Sequence, residues 1–407
     1  MNIVLFTHPA FLGLRSQDHF AQMLHDEYLR RGHRVALRRP SPVLRAWFPH
    51  GPLAKWAGYV DQYLVFPARM RSAMREDPPD TLYVFCDQAL GPWVPDAAHR
   101  PHVVHCHDLL ALRSALGDIP ENPTSSTGRV YQRYIRAGFR RARHFISISK
   151  RTRNDLHAFG CTPRGLSEVV HNGLNHPFRP LAPEVARARL AEAGLPADDG
   201  GCLLHVGGGQ WYKNAAGVVH LYAAYVRATL AAGAAPLPLW MVSPPPDARL
   251  SAALARVPRA GRVRFLQGLA PELLEALYAH ARALLFPSLA EGFGWPVLEA
   301  MACGCPVLTT DAAPMTEVGG DVAAYLPRLA HGDDIEDWAA RGAQVVVDVL
   351  GRGAEERARL AAAGCARAAL FSAGAAIEGY LSIYRRVLER ELPVLPSQAT
   401  HDRHRPV

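Results

Sequence analysis

Lysine is almost missing from this chain. Of 45 basic residues only Lys55, Lys150 and Lys213 are lysines, so 45 − 3 = 42 are arginines. A lysine here departs from a strong default, placing a compact ammonium where a planar guanidinium would otherwise stand. Cysteine is also sparse: seven residues, odd in number, scattered and without a C-x-x-C pair. That argues against a disulfide framework and a cysteine zinc site, and fits a reducing compartment. No uninterrupted apolar run approaches the roughly 20 residues that span a bilayer. The N-terminus, MNIVLFTHPAF, has neither a basic leader nor a small-residue cleavage site and reads as a buried strand. The expectation is a cytoplasmic protein. Three catalytic signatures are absent too. No GKS or GKT follows a glycine loop, G-x-G-x-x-G is broken at Tyr212, and no G-x-S-x-G occurs. P-loop nucleotidase, hydride-transfer and serine-hydrolase chemistry are disfavoured accordingly.

What is present suits two or three globular domains: 407 residues, 49% hydrophobic and 20% charged. The formal charge of +8 suits anionic partners such as nucleotides or phospholipid. No nucleic-acid signature accompanies it. Apolar runs at 2–6, 81–85, 102–107 and 144–149 read as strands separated by helical stretches, which implies parallel pairing and right-handed crossovers. The pattern restarts at GCLLHVGGG (201–209), after a linker rich in proline and alanine. The expected fold is α/β, with doubly wound parallel sheets in residues 1–178 and 179–374. A final amphipathic stretch precedes Pro393, and residues 392–407 read as a polar tail.

Two motifs carry chemistry. In HVGGGQWYKN (205–214), Gly207, Gly208 and Gly209 follow a strand, so backbone N–H groups can approach an anion closely. Lys213 and Asn214 then fall at the start of a helix, where the dipole favours negative charge. In EGFGWPVLE (291–299) two carboxylates flank a turn, with Pro296 expected at the first helical position and Glu299 in the first turn. Carboxylates there are strong acceptors for sugar and ribose hydroxyls, and the amides between them suit a diphosphate.

EGFGWPVLE resembles the E-x7-E motif of retaining GT-B glycosyltransferases, specifically glycosyltransferase family 4. The likeness extends to the glycine loop with Lys213, to residues 265–310, to HNG (171–173), to ISISKRTRNDL (146–156) and to HVVHCHD (102–108). It implies two Rossmann-like domains facing a cleft, with a crossover helix at 375–391 packing back on the first. It also implies roles. Glu291 meets the donor sugar, Glu299 the ribose, and the amides of Gly292, Phe293 and Gly294 the sugar or diphosphate. Lys213 binds the diphosphate, His107 lies beside the sugar, and Gly13 lets the first loop approach the phosphates. One departure stands out: the family usually has arginine where this chain has Gly208, and Arg15 is one possible replacement.

The activity so implied is transfer of a hexose from a nucleoside diphosphate, GDP-mannose or a UDP-hexose, to an acceptor hydroxyl without metal or other cofactor. The acceptor expected is a saccharide or lipid-linked saccharide in surface polysaccharide assembly. A nucleotide-sugar epimerase and a non-catalytic sugar-nucleotide-binding protein share the same cleft and remain as alternatives. His105 and His107, two apart on a strand, point the same way, but no further metal ligand stands at a telling spacing. Finally, Arg129, Arg133, Arg136 and Arg140 recur on one helical face. They suit an anionic membrane surface, and hence a peripheral location on the inner face of the cytoplasmic membrane.

Overall fold

The computed structural model describes residues 1–392 other than 14, 197 and 199. Of the expected polar tail, 393–407 lies outside the described residues. The first sheet contains β1 (Asn2–Phe6), β2 (Arg34–Arg38), β3 (Leu82–Phe85), β4 (His102–Cys106), β5 (Phe145–Ser147) and β6 (Ser167–Val169) in the order β2-β1-β3-β4-β5-β6. The second contains β7 (Cys202–Val206), β8 (Leu239–Val242), β9 (Val263–Leu266), β10 (Ala281–Phe286), β11 (Val307–Thr310) and β12 (Ala324–Leu326) in the order β12-β11-β10-β7-β8-β9. All ladders are parallel, and Ile3, for example, pairs with Val35 on one side and Leu82 on the other.

Parallel strands covered by helices on both faces are apolar throughout, which is why NIVLF, LYVF and ALLF show no alternation. Strand order reverses between β1 and β3 in one sheet and between β7 and β10 in the other. Ligands of open α/β sheets bind at such points, outside the carboxyl ends of the strands. The two crevices face each other across the cleft.

After the second sheet the chain returns to the first. Helix Ala373–Glu391 buries Ile377, Tyr380, Leu381, Tyr384 and Val387 against Ile3, Leu5 and Leu24. Tyr384 Oη lies 2.7 Å from His105 Nε2, and Tyr28 Oη donates to it at 3.2 Å. An apolar window within Ala354–Glu391 has the length and composition to cross a bilayer. It is interrupted: one helix ends at Ala369 and the next starts at Ala373, where Ser372 Oγ accepts from Ala375 N. The second helix is a core element of the first sheet.

Candidate functional site

β7 and β10 bring the lysine and the two glutamates to one place. Lys213 ends the short 3-10 turn Trp211–Lys213, just before helix Ala215–Ala231. Its Nζ lies 2.8 Å from Glu291 Oε1, with the side chains only 13% and 7% exposed. Ser288 Oγ is 2.8 Å from the same carboxylate oxygen and 2.7 Å from the Tyr212 carbonyl. The Phe286 ring lies beneath the ammonium at 4.8 Å. Groups expected at separate parts of a donor are therefore paired with each other. Asn214, left-handed at φ 56°, donates from Nδ2 to the Pro287 carbonyl at 3.1 Å and ties the two loops together.

The register of the helix after the turn differs from expectation. It runs Trp295–Ala302 behind the left-handed Gly294, φ 97°, so Pro296 is its second residue and Glu299 its fifth. A glycine that takes a left-handed conformation without strain lets the helix begin one residue early. Glu299 thus sits past the first turn, inside the domain, where Tyr278 Oη donates to its Oε2 at 2.8 Å. Burial pushes its carboxyl up to about 7, against the pull of Tyr278 and Lys213.

Between the glutamates the loop meets the first domain. A Cβ on Gly292 would stand 2.3 Å from the His107 carbonyl oxygen, so no other residue fits there without moving backbone. The Gly292 carbonyl accepts from Ser149 Oγ at 2.8 Å and Thr152 Oγ1 at 3.3 Å. Phe293 is buried beside His171 and Phe371. A second clasp lies nearby. Glu317 accepts from the backbone N–H of Lys150 and of Arg151, both at 2.7 Å, and lies 3.2 Å from His171 Nε2. Burial alone would raise the Glu317 carboxyl, but these donors hold it below its ordinary value.

The first sheet contributes His107, whose Nε2 donates to the Cys86 carbonyl at 2.8 Å and whose ring stands edge-on to Phe20. A carbonyl only accepts, so in the neutral ring Nδ1 is left as the acceptor. His105 instead faces the core; burial takes its pKa down to about 3. Sequence reasoning missed a neighbour: His8 Nε2 and Asp87 Oδ2 lie 3.1 Å apart, both buried, at the carboxyl ends of β1 and β3. Burial raises the Asp87 carboxyl, yet the His8 bond and charge, the His107 charge and the Ala89 N–H hold it low. The only signal was position, since each stands two residues after the end of a strand. Gly13 closes the turn after β1 at φ 66°, and a Cβ there would meet nothing within 4 Å. Its need is conformational, not steric.

In the glycine loop a Cβ on Gly207 would meet His205 Nε2 at 2.7 Å, and Gly209 at φ 82° lies against Pro244. A cavity of about 310 Å³ opens beside Gly208 and Gly209, lined also by Asn214, Ser243 and Arg249. Arg249, exposed on the helix that Asp247 caps after β8, is the arginine that lines this cavity. The side chain of Arg15 lies outside the described residues. On the other side of Glu291, a cavity of about 250 Å³ runs between the domains among Arg113, Arg151, Glu121 and Arg328. Its charges are paired, Arg328 with Glu121 and Arg113 with Asp118, both at 2.7 Å, and such groups can donate to and accept from a polyhydroxylated ring.

The expected stripe of four arginines is not complete. Arg136 Nε turns inward and donates to the Gly160 carbonyl at 3.0 Å, leaving Arg129, Arg133 and Arg140 exposed. A helix C-terminal carbonyl within reach of a long cation explains the difference.

Two parallel sheets facing one cleft, with the site at both strand-order reversals, define the GT-B architecture. Solved structures share it: sucrose-phosphate synthase from Thermosynechococcus elongatus matches with a TM-score of 0.66 at 18% identity, covering 96% of this chain and 100% of that one. Anabaena HepE in complex with UDP matches at 0.64 and 16%, covering 95% and 100%. Family models for "Glycosyltransferase Family 4" and "Glycosyl transferases group 1" match residues 18–177 and 202–348. A D-inositol 3-phosphate glycosyltransferase from Frankia alni is 31% identical over 300 residues, 71% of this chain and 69% of that protein. The Escherichia coli O-antigen chain mannosyltransferase B is 39% identical over 90 residues, 22% and 23% of the two chains. A D-inositol 3-phosphate glycosyltransferase from Mycolicibacterium paratuberculosis is 28% identical over 71% of this chain and 62% of its own. The last two alignments thus span less than two thirds of those relatives. The chain belongs to the group 1, family 4 glycosyltransferases.

Proposed function

We propose that the protein is a retaining glycosyltransferase that moves a hexose from GDP or UDP to a hydroxyl of a lipid-linked saccharide in surface polysaccharide assembly, at the cytoplasmic face of the membrane. The observation that carries this reading is the largely buried Lys213–Glu291 pair, held at the reversal point of one sheet and pressed through Gly292 against His107 of the other. A cation and an acceptor so placed can part to serve the two ends of a sugar diphosphate. Lys213 and Arg249, with the amides of Gly207 to Gly209 and of Phe293 and Gly294, take the diphosphate charge. That stabilises the oxocarbenium-like state as the bond from C1 to the phosphate oxygen breaks. Glu291 and Glu299 accept from sugar and ribose hydroxyls. The electron pair of the breaking bond goes to the leaving phosphate, which then takes the acceptor proton as the new C1–O bond forms on the same face. Side chains and amides supply the positive charge, so this reading assigns no metal ion. The E. coli mannosyltransferase relative supports a mannosyl donor, and the UDP-bound neighbour supports UDP.

A thermal-shift panel of nucleoside diphosphates and nucleotide sugars tests the reading. A ligand at 100 times its dissociation constant should stabilise by about 2.7 kcal/mol. Silence across the whole panel overturns it. The anomeric configuration of the product, read by NMR, decides retention.

A further inference from the structure

One surface of the first domain takes no part in the proposed transfer. Among the described residues, six of the fourteen exposed large hydrophobic side chains fall within 44–64: Leu44, Trp47, Phe48, Leu53, Trp56 and Leu64. Trp47 is 80% exposed and Trp56 66%. Helix Pro52–Val60 buries Ala54, Ala57 and Gly58, and so turns its larger apolar residues outward. The arrangement is built and held. Asp61, 1% exposed, accepts from the backbone N–H of Val43, Leu44 and Arg45 at 3.0, 2.8 and 2.9 Å, which clamps the loop onto its helix.

Exposed cations lie on the helix of this face and on the helix beside it. Lys55 lies on the same helix, and Arg129, Arg133 and Arg140 stand on helix Ser126–Phe139 and at its C-cap. The two helices meet through the Tyr59 and Tyr131 rings at 6.0 Å, and Tyr63, three residues beyond the first helix, adds a 2.6 Å contact between its hydroxyl and that of Tyr131 and a ring contact with Tyr134 at 5.5 Å. None of the four cations is ion-paired among the described residues. Neither 41–60 nor 122–154 contains an acidic residue. Val130, 62% exposed, extends the apolar area between the arginines.

We propose that this face seats on an anionic lipid bilayer, with Trp47 and Trp56 at headgroup depth and Lys55, Arg129, Arg133 and Arg140 on lipid phosphates. Tryptophan with a basic rim is the pattern of interfacial binding, and each cation adds attraction to an anionic surface. A second copy of this chain would set like charges against each other. The face also adjoins the cleft. Phe11 packs on Gly58, where a Cβ would lie 3.3 Å from its ring, and Arg45 lies 5.2 Å above that ring. Phe11 belongs to the turn that ends at Gly13, at the carboxyl end of β1. A membrane-borne acceptor would therefore meet the cleft beside its anchor. The inference deepens the reading of a lipid-linked acceptor and rests on it, but is tested apart from it.

The full chain is sedimented with vesicles of phosphatidylcholine alone and of phosphatidylcholine with phosphatidylglycerol, and its tryptophan emission is recorded. Wild type should bind only the anionic vesicles, less at high salt, with a blue-shifted emission. W47S/W56S should lose at least tenfold in binding and lose most of the shift; R129Q/R133Q/R140Q should lose binding to the anionic vesicles. Equal binding by wild type and W47S/W56S overturns the proposal, as does no binding at all. So does a dimer in solution that W47S/W56S dissociates. All variants should keep the nucleotide thermal shift of wild type. Its absence from wild type would sink the transferase reading and leave the vesicle result standing.

Discussion

Lys213 Nζ and Glu291 Oε1, 78 residues apart in the chain, lie 2.8 Å apart in a nearly closed site. Each neutralises the other where neither is well hydrated. Removing one partner leaves the other buried and uncompensated, which typically costs about 3–5 kcal/mol. K213M should therefore lower both the melting temperature and the affinity for nucleoside diphosphate. E291Q should also destabilise the free protein, yet it releases the ammonium. Its affinity for a nucleoside diphosphate without sugar should match or exceed that of wild type, while sugar transfer falls. Calorimetric binding alongside an activity assay checks this; equal loss of diphosphate binding in both variants would refute the division of roles.

Gly292 tests how the domains meet. An added methyl would stand 2.3 Å from the His107 carbonyl oxygen, and backbone cannot be displaced as a side-chain tip can. G292A should push the loop away from Ser149 and Thr152 and carry Glu291 with it. A shift of about 1 Å at a reacting centre can cost about 100-fold in rate. The expected result is a turnover loss of that order, with nucleotide affinity changed much less because Lys213 and Glu299 remain in the second domain. A matched fall in both would place Gly292 in donor binding instead.

Much of this was legible because strands and glycine loops are local. NIVLF, GCLLHVGGG and LLFPS announce buried parallel strands through unbroken apolar runs, and the lysine and glutamates are visible where they follow them. Pairings made in three dimensions were not. His8 and Asp87 meet only because β1 and β3 are neighbours, and Glu317 finds the Lys150 and Arg151 amides only when two domains face each other. The position of Glu299 turned on one backbone angle at Gly294. The helix Pro52–Val60 hid its exposed face, since small residues pack inward and bulky apolar ones face out, the reverse of the usual pattern.

Glu299 gives a pH dependence. Its folded carboxyl titrates at about 7, above the ordinary 4.5, so the folded state holds a proton that the unfolded state has released between those values. Stability from this group is full below about 4.5 and is lost as pH rises through about 7. At about 1.36 kcal/mol per unit the total approaches roughly 3 kcal/mol. E299Q should flatten this part of the stability profile. Y278F should move its upper limit to higher pH, because the Tyr278 hydroxyl favours the ionised form. Ribose hydroxyls bind best to the carboxylate, so nucleotide affinity should rise over the same range in wild type and stay level in E299Q.

Arg249 offers a test of how the glycine loop manages without an arginine at Gly208. It shares a cavity with Gly208 and Gly209 and forms no ion pair among the described residues, so its charge is free for an anion. An exposed cation acts on a phosphate through solvent and is screened by salt, with a Debye length of about 8 Å at physiological ionic strength. R249Q should therefore weaken nucleoside diphosphate binding severalfold at low salt and less at high salt. The corresponding nucleoside, which lacks phosphate, should bind wild type and R249Q alike. Restoring an arginine as G208R in the R249Q background should recover the diphosphate affinity, because the Gln210 side chain that a Cβ would meet there can swing aside. No recovery, with folding intact by circular dichroism, would mean that Arg249 serves the helix surface and not the donor.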